Sequence, residues 1–241
     1  MNYKQNISGP VIIECFGLPG AGKTTVINEV KSYYKNIGVT AADRNNVANW
    51  LTQLPKTQKL FFVFRNPIWA LKGFFSWLFS RSAYYWNRPF LLHSFPDFIN
   101  KPLYLRRYLL KYKPAVCLLE QWSIQHLWSA WVGHNQPTQG WINHQVHHLE
   151  KLNHSRYIFF QIAPQIAAER IHNRKKGQSR FDRMSKAVIE KQLVKEYELM
   201  NMILNAVKES KSDLLIVDAS QPPEQSFSLI KKWLDPFSQK Q

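Results

Sequence analysis

Cysteines, acidic residues and long apolar runs are all scarce in this chain of 241 residues. The two cysteines, Cys15 and Cys117, fall in apolar, strand-like stretches. We interpret them as buried core thiols rather than as a disulfide or a metal pair, which is compatible with a reducing compartment. No uncharged apolar run reaches the roughly eighteen residues that a membrane span needs, and the polar residues 1–10 predict no secretory signal. We therefore expect a cytoplasmic protein.

The shortage of acidic residues bears on the partners of the chain. Lysine and arginine total 32 against 16 aspartates and glutamates, which gives a formal net charge of +16. This excess permits nucleic acid, an anionic membrane surface or small phosphorylated ligands as partners. The hydrophobic content of 45% is enough for a sizeable core and excludes a globally disordered chain.

The stretch Gly17-Leu18-Pro19-Gly20-Ala21-Gly22-Lys23-Thr24 fits the phosphate-binding pattern G-x-x-x-x-G-K-S/T. Residues 11–16 before it predict a buried strand, and residues 25–31 after it predict a helix. Glycines let the backbone N–H groups of such a turn converge on a phosphate chain, and the positive end of the helix adds to the same spot. Lys23 should reach the β- and γ-phosphates, and the Thr24 hydroxyl should bind a phosphate-bound Mg²⁺ ion. The residues expected to bind the nucleotide are Gly17, Leu18, Pro19, Gly20, Ala21, Gly22, Lys23, Thr24 and Thr25.

A second strand, predicted over residues 38–42, ends in two charged residues, Asp43 and Arg44. In an open parallel sheet the carboxyl ends of the strands border the ligand crevice. Asp43 is therefore a candidate for binding an acceptor hydroxyl, and Arg44 for binding an acceptor anion. A solvated turn with an exposed ion pair is equally compatible with these residues, since loops at strand ends are polar in general.

A third strand, predicted over residues 115–119, ends in Glu120. Phosphoryl transfer on this kind of scaffold uses a carboxylate at the tip of a neighbouring strand, either to hold Mg²⁺ or to take the proton of the acceptor. We expect Glu120 to fill one of these two roles. Gln125, nearly one helical turn beyond Trp122, is predicted to face the same cleft.

A cationic segment begins on the helix predicted over residues 165–173. Its arginines are Arg170, Arg174, Arg180 and Arg183. We interpret residues 174–186 as a lid, because guanidinium groups that close over a transferred phosphoryl group stabilise its charge and exclude water. Arg170, Arg174 and Arg180 are catalytic candidates in this interpretation, and Arg183 is a candidate for acceptor binding. A merely solvated basic loop is the alternative.

Residues 56–113 differ in composition from the rest of the chain. They hold eleven lysines or arginines, a single acid and 17 of the 34 aromatic residues. Core-packing helices that cover the acceptor pocket and attachment to an anionic membrane face both fit this mixture. Nucleic-acid binding is disfavoured, because no recognised binding module is visible. We predict a helical insertion over residues 50–113 within a single domain, 1–241.

These motifs together resemble the thymidylate kinase-like branch of P-loop kinases. The resemblance rests on the glycine loop at 17–24, Glu120, the Arg170–Arg174 helix with its basic loop, and the closing Val217-Asp218-Ala219. It implies an α/β fold in which five parallel strands form a sheet with helices on both faces, together with ATP, Mg²⁺ and a closing lid. Where thymidylate kinases carry Asp-Arg-Tyr, this chain has Glu120-Gln121-Trp122, so a sugar, a glycolipid or another hydroxyl acceptor stays open beside a nucleotide. A weaker resemblance, through the glycine loop at 17–24 together with Ser179-Arg180-Phe181-Asp182, is to kinase-like proteins of bacterial surface-polysaccharide synthesis.

We accordingly expect an ATP-dependent phosphotransferase that moves the γ-phosphoryl group to a small acceptor. The alternative is a P-loop ATPase or switch protein whose basic aromatic region binds an anionic membrane or nucleic acid. Association of a cytoplasmic protein with the inner membrane face is compatible with both.

Overall fold

A computed structural model describes residues 10–55, 57–58, 104–131, 137–153, 155–174, 181 and 184–238. Its strands are β1 (Val11–Gly17), β2 (Ala41–Asp43), β3 (Val116–Glu120), β4 (Arg156–Gln161) and β5 (Leu214–Asp218). The helices in this part of the chain are α1 (Lys23–Asn36), α2 (Arg44–Gln53), α3 (104–112), α4 (Ser123–Trp131), α5 (Gln139–Asn153), α6 (Pro164–Asn173), α7 (Lys186–Glu209) and α8 (Pro223–Ser238). The strands predicted over residues 11–16, 38–42 and 115–119 are present as β1, β2 and β3, and β4 and β5 complete the five strands that the resemblance implies, whereas α2 was not predicted.

The strands form one parallel sheet in the order β2-β3-β1-β4-β5. Crossovers between parallel strands are right-handed, so the helix that leaves β1 toward β2 lies on the opposite face from the helices that lead from β3 to β4 and from β4 to β5. The packing agrees: α1 contacts β1, β3 and α8, while α4, α5 and α6 all pack against α7. The chain therefore has the α/β architecture of a P-loop NTPase, with helices on both faces of a five-stranded parallel sheet, and this prediction is confirmed.

The central strands are apolar on both faces because helices cover both sides of the sheet. Ile13, Cys15 and Phe16 on β1 are fully buried, as are Ile158 and Phe160 on β4. Such a strand contributes side chains to two helical layers at once, which makes β1 the centre of the core.

Both cysteines are free and buried, as predicted from their apolar surroundings. Burial raises the pKa of the Cys15 thiol, and the carboxylates of Glu120 and Glu14 raise it further. Burial likewise raises the pKa of Cys117 to about 12, with a smaller contribution from Asp43. Both thiols therefore stay protonated near neutral pH and serve as small apolar core groups.

Helices α2 and α3 cover the β2–β3 side of the sheet. Val47 and Trp50 of α2 pack with Tyr104, Leu105 and Tyr108 of α3 in a second buried cluster. The described end of the aromatic, basic stretch thus contributes to the core, and residues 59–103, which make up most of the predicted insertion, lie outside the described residues. Within the part of the chain that is described, no helix combines the length and apolar character needed to cross a bilayer.

The glycine-rich loop is packed against α6 at Gly20. This residue has a φ of +83°, and a Cβ atom placed on it would lie 2.6 Å from the carbonyl oxygen of Ala167 and 3.0 Å from a side-chain carbon of Ile171. Gly38 has a similar φ of +76° but nothing within 4 Å of such a Cβ. The two glycines share one backbone requirement and differ only in the space around them.

We expect Gly20→Ala to be markedly more destabilising than Gly38→Ala. The control variant Gly38→Ala should lose roughly 1 kcal/mol, the cost of a left-handed backbone for an L-residue. Gly20→Ala has the same cost and must also push the loop away from α6. Urea unfolding of both variants measures the difference, and equal losses would contradict the close approach to Ala167.

Candidate active site

The glycine-rich loop lies at the carboxyl edge of the sheet, between the ends of β1 and β3. The chain leaves β1 through α1 on one face and leaves β3 through α4 on the other face. In open α/β sheets such a reversal opens a crevice that binds ligands. Residues 17–22 form one wall of the crevice, and residues 120–122 after β3 form the opposite wall.

The ammonium group of Lys23 is held by the loop itself. Its Nζ atom donates hydrogen bonds to the carbonyl oxygens of Gly17, at 2.8 Å, and Leu18, at 2.9 Å. The side chain is only 6% exposed, and this burial lowers its pKa to about 8, against the opposing influence of Cys15 and Glu120. Lys23 is therefore a positive group inside the loop whose charge depends on pH just above neutrality.

Thr24 and Glu120 meet across the crevice. The Thr24 hydroxyl donates a hydrogen bond to Glu120 Oε2 at 2.6 Å. Both are hard oxygen ligands. Their oxygens lie about 0.4 Å closer together than the roughly 3.0 Å between neighbouring ligands of an octahedral Mg²⁺ ion, so a small outward shift would let both bind the ion. No group of three or more histidine, cysteine or acidic side chains suitable for a metal occurs among the described residues. The two oxygens thus fit Mg²⁺ in its usual setting, in which substrate phosphates and waters supply the other ligands.

Two buried contacts connect β1 to α4 and thereby join the two walls of the crevice. The backbone N–H of Gly17 donates to Gln125 Oε1 at 3.1 Å, and the N–H of Ile124 donates to a carboxylate oxygen of Glu14. Gln125 is 6% exposed, so its amide supports the first glycine of the loop; acceptor contact through it stays a prediction. The sequence analysis did not identify Glu14, although an acid in the middle of a buried strand was its signal.

Asp43 begins a helix instead of lying in an open loop. It is the N-cap of α2: its carboxylate accepts the N–H of Asn46 at 2.8 Å, and Asn46 Oδ1 accepts the N–H of Asp43 at 2.9 Å. Its second carboxylate oxygen accepts from Lys31 Nζ. Both oxygens are therefore engaged within the protein. The spacing of Asp43 and Asn46 resembles a capping box, which is the signal that would have revealed α2.

Arg44 makes a contact that the sequence did not suggest. Its Nη1 atom donates to Gln121 Oε1 at 2.9 Å, so a side chain from the end of β2 meets one from the end of β3. Gln121 is exposed and has a φ of +53°. The contact lies beside Glu120, where β2 and β3 end; binding of an acceptor anion by Arg44 stays a prediction.

Arg170 lies on α6, the helix that packs against Gly20, and its guanidinium reaches the loop after β5. It donates to the carbonyl oxygens of Ala219, at 2.6 Å, and Ser220, at 3.1 Å. Asp218 shapes the same loop by accepting from the Ser220 hydroxyl at 2.6 Å and from the Ser220 N–H at 2.9 Å, and these hydrogen bonds lower the pKa of its carboxyl. Arg170 thus connects this loop to the helix that supports the phosphate-binding loop.

The other predicted arginines are less completely described. Arg174 is the half-buried residue at the carboxyl end of α6. Arg180 and Arg183, with most of the predicted lid over 174–186, lie outside the described residues. Phe181, in the middle of that segment, is 2% exposed and belongs to the main core.

The comparisons with known proteins found a likeness among solved structures. No family model matches the chain, and no curated protein does. Among solved structures 213 chains match, one of them the deoxyadenosine kinase from M. mycoides with bound dATP. The similarity covers 93% of this chain and 99% of that one, at 17% sequence identity and a TM-score of 0.47.

The pKa of Lys23 generates a prediction for the triphosphate site expected from the loop. Because the protonated ammonium of Lys23 attracts phosphate, the affinity for a triphosphate should fall as the pH rises through about 8. For a single such group, the affinity for a non-hydrolysable ATP analogue should fall roughly eight-fold between about pH 7.5 and 9. Calorimetric titration measures this change. In Lys23→Ala the weaker remaining binding should be independent of pH over that range, and an equal fall in this variant would assign the effect to another group.

Proposed function

We propose that this protein is an ATP-dependent phosphotransferase that moves the γ-phosphoryl group of ATP to a small acceptor. The observation that supports this proposal best is the hydrogen bond between Thr24 and Glu120, which joins the phosphate-binding loop to a carboxylate of the neighbouring strand. Phosphoryl transfer on this scaffold uses a carboxylate beside the phosphate chain to hold Mg²⁺ or to take the acceptor proton. An ATPase or switch protein uses such a carboxylate as well, so the acceptor panels described below separate the two functions.

The nucleotide would bind along the glycine-rich loop. Its β- and γ-phosphates would replace the carbonyls of Gly17 and Leu18 as partners of the Lys23 ammonium, and backbone N–H groups of the loop would donate to the phosphate oxygens. The loop after β5, which Arg170 orders through Ala219 and Ser220, is our candidate site for the base. In this proposal Arg170 positions that loop.

Glu120 and Thr24 would hold Mg²⁺, and the ion when bound would neutralise charge on the β- and γ-phosphates. Alternatively, Glu120 would accept the proton of the acceptor hydroxyl. Lys23 would stabilise the negative charge of the transferred group in either case. Arg174, together with Arg180 and Arg183, would belong to the proposed lid.

The acceptor would bind beside Glu120, where β2 and β3 end. The guanidinium group of Arg44 contacts Gln121, the residue after Glu120, and no carboxylate among the described residues neutralises it. Gln125 supports the glycine-rich loop by accepting the N–H of Gly17. The sequence made Asp43 a candidate for binding an acceptor hydroxyl. In the structure it is poorly suited to that role, because Asn46 and Lys31 already engage its two carboxylate oxygens. Acceptor recognition in this proposal therefore rests mainly on Arg44.

The proposal is tested by measuring ATP consumption across panels of acceptors. Nucleosides, nucleoside monophosphates, sugars and sugar phosphates form one panel, and RNA, DNA and anionic vesicles form another. We expect ADP formation to be stimulated by a member of the first panel and to be absent in Lys23→Ala, whose circular dichroism spectrum should remain that of the wild type. Stimulation by the second panel alone would favour an ATPase or switch protein and reject the kinase.

Glu120→Gln is expected to lower turnover more than nucleotide affinity. The amide keeps the size of the side chain but neither accepts a proton nor carries the charge that a Mg²⁺ ligand supplies. A loss of about a hundred-fold in kcat is the usual size of such an effect. Steady-state kinetics and calorimetric titration of an ATP analogue separate the two quantities. Unchanged kcat would remove Glu120 from the proposed chemistry.

A further inference from the structure

Gln121 has an unusual backbone conformation for its place in the fold. It is one of three non-glycine residues with a positive φ in the described part of the chain, and the other two, Lys113 and Lys211, follow the ends of α3 and α7. A left-handed residue is common where a helix ends. Gln121 instead follows β3, so the helix-end explanation does not apply to it. Left-handed residues other than glycine cost free energy and cluster at ligand sites.

The conformation of Gln121 directs its side chain to Arg44. The resulting hydrogen bond, at 2.9 Å, spans the ends of β2 and β3 next to Glu120. Both side chains are accessible, so the contact is not part of the core. The strain at position 121 thus holds a cation at the edge of the crevice.

Arg44 keeps its full charge in this arrangement. Within the described residues its hydrogen bond to Gln121 is its single polar contact, and no carboxylate pairs with it. The acids that adjoin the two residues in sequence, Asp43 before Arg44 and Glu120 before Gln121, have other partners: Asp43 accepts from Lys31 and Asn46, and Glu120 accepts from Thr24. A neutral amide oxygen fixes the guanidinium without neutralising it. At least three of its five N–H donors then remain for a planar anion.

We propose that Gln121 is a positioning residue that presents Arg44 to an anionic group of the acceptor. The acceptor would then carry a phosphate or a carboxylate, in addition to the oxygen that is phosphorylated. This inference rests on the proposed function for its meaning, but the anion site itself is tested without an acceptor. The chemistry that recognises the anion is a bidentate contact from the guanidinium of Arg44.

The test measures the affinity of inorganic phosphate by ³¹P NMR, with the glycine-rich loop saturated by a non-hydrolysable ATP analogue. Arg44→Ala should weaken phosphate binding about ten-fold or more, the usual loss for a charge-assisted contact. Arg106→Ala is the matched control, since Arg106 is an exposed arginine on α3, and it should leave phosphate binding unchanged. Equal behaviour of the two variants overturns the inference.

Two substitutions at position 121 separate positioning from a structural role. Gln121→Gly relieves the left-handed strain, so its urea midpoint should stay equal or rise while phosphate affinity falls. Gln121→Glu keeps the reach and the acceptor oxygen but neutralises Arg44, so it too should lose phosphate affinity. Two outcomes would overturn the inference and mean that the residue is structural. One is wild-type phosphate affinity in Gln121→Glu, and the other is a lower urea midpoint in Gln121→Gly together with its loss of phosphate affinity.

The acceptor panel distinguishes this inference from the proposed function. With pairs such as thymidine and thymidine monophosphate, or glucose and glucose 6-phosphate, we expect the anionic member to be phosphorylated and its KM to rise in Gln121→Gly with kcat little changed. If phosphate binding depends on Arg44 but no small acceptor is phosphorylated, the proposed function fails while the anion site stands. If a small acceptor is phosphorylated but the variants at positions 44 and 121 change neither phosphate affinity nor KM, the proposed function stands and the anion site is rejected.

Discussion

Strand β1 lies between β3 and β4, and the chain leaves β1 on one face of the sheet and its two neighbours on the other. This reversal opens the crevice between the ends of β1 and β3. The glycine-rich loop lies there, and it places Thr24, at the start of α1, opposite the end of β3. The hydrogen bond from Thr24 to Glu120 is the direct result of this placement.

The charged groups at this edge of the sheet have different kinds of partner. Asp43 is paired with Lys31 and caps α2, whereas Glu120 accepts from the neutral hydroxyl of Thr24 and therefore keeps its negative charge. The hydrogen bonds of Arg44 and Arg170 likewise go to neutral amide and carbonyl oxygens. Guanidinium groups held in this way keep their charge, which suits anionic ligands on both sides of the loop.

Rigidity of the loop comes from groups that are distant in sequence. Gln125 binds the N–H of Gly17 from across 108 positions, and Glu14 holds the start of α4 across 110. Because α4 begins three residues after Glu120, these two contacts fix the relative positions of the loop and the carboxylate. Gly20 adds a third constraint by its close approach to Ala167 on α6. Preorganisation of this kind reduces the cost of ordering a site when its ligand binds.

Local signals were enough to predict the glycine-rich loop, the strands β1, β2 and β3, and the position of Glu120 at a strand end; phosphate binding by the loop stays a prediction. Sequence reasoning missed α2 because Asp43 and Asn46, which have the spacing of a capping box, were interpreted as a polar loop after β2. The packing of Val47 and Trp50 against α3 shows that this segment is a helix. It also could not assign Glu14, whose partner lies on another element.

The chain sequence by itself determined the loop, the apolar strands and the excess of basic residues, since each depends on neighbouring residues or on composition. Only the tertiary structure decided that Glu120 meets Thr24, that burial lowers the pKa of Lys23, and that Gln121 holds Arg44. The physical reason is that these properties depend on which strand ends lie side by side and on how much water they exclude, and strand order is set by long-range packing rather than by local pattern.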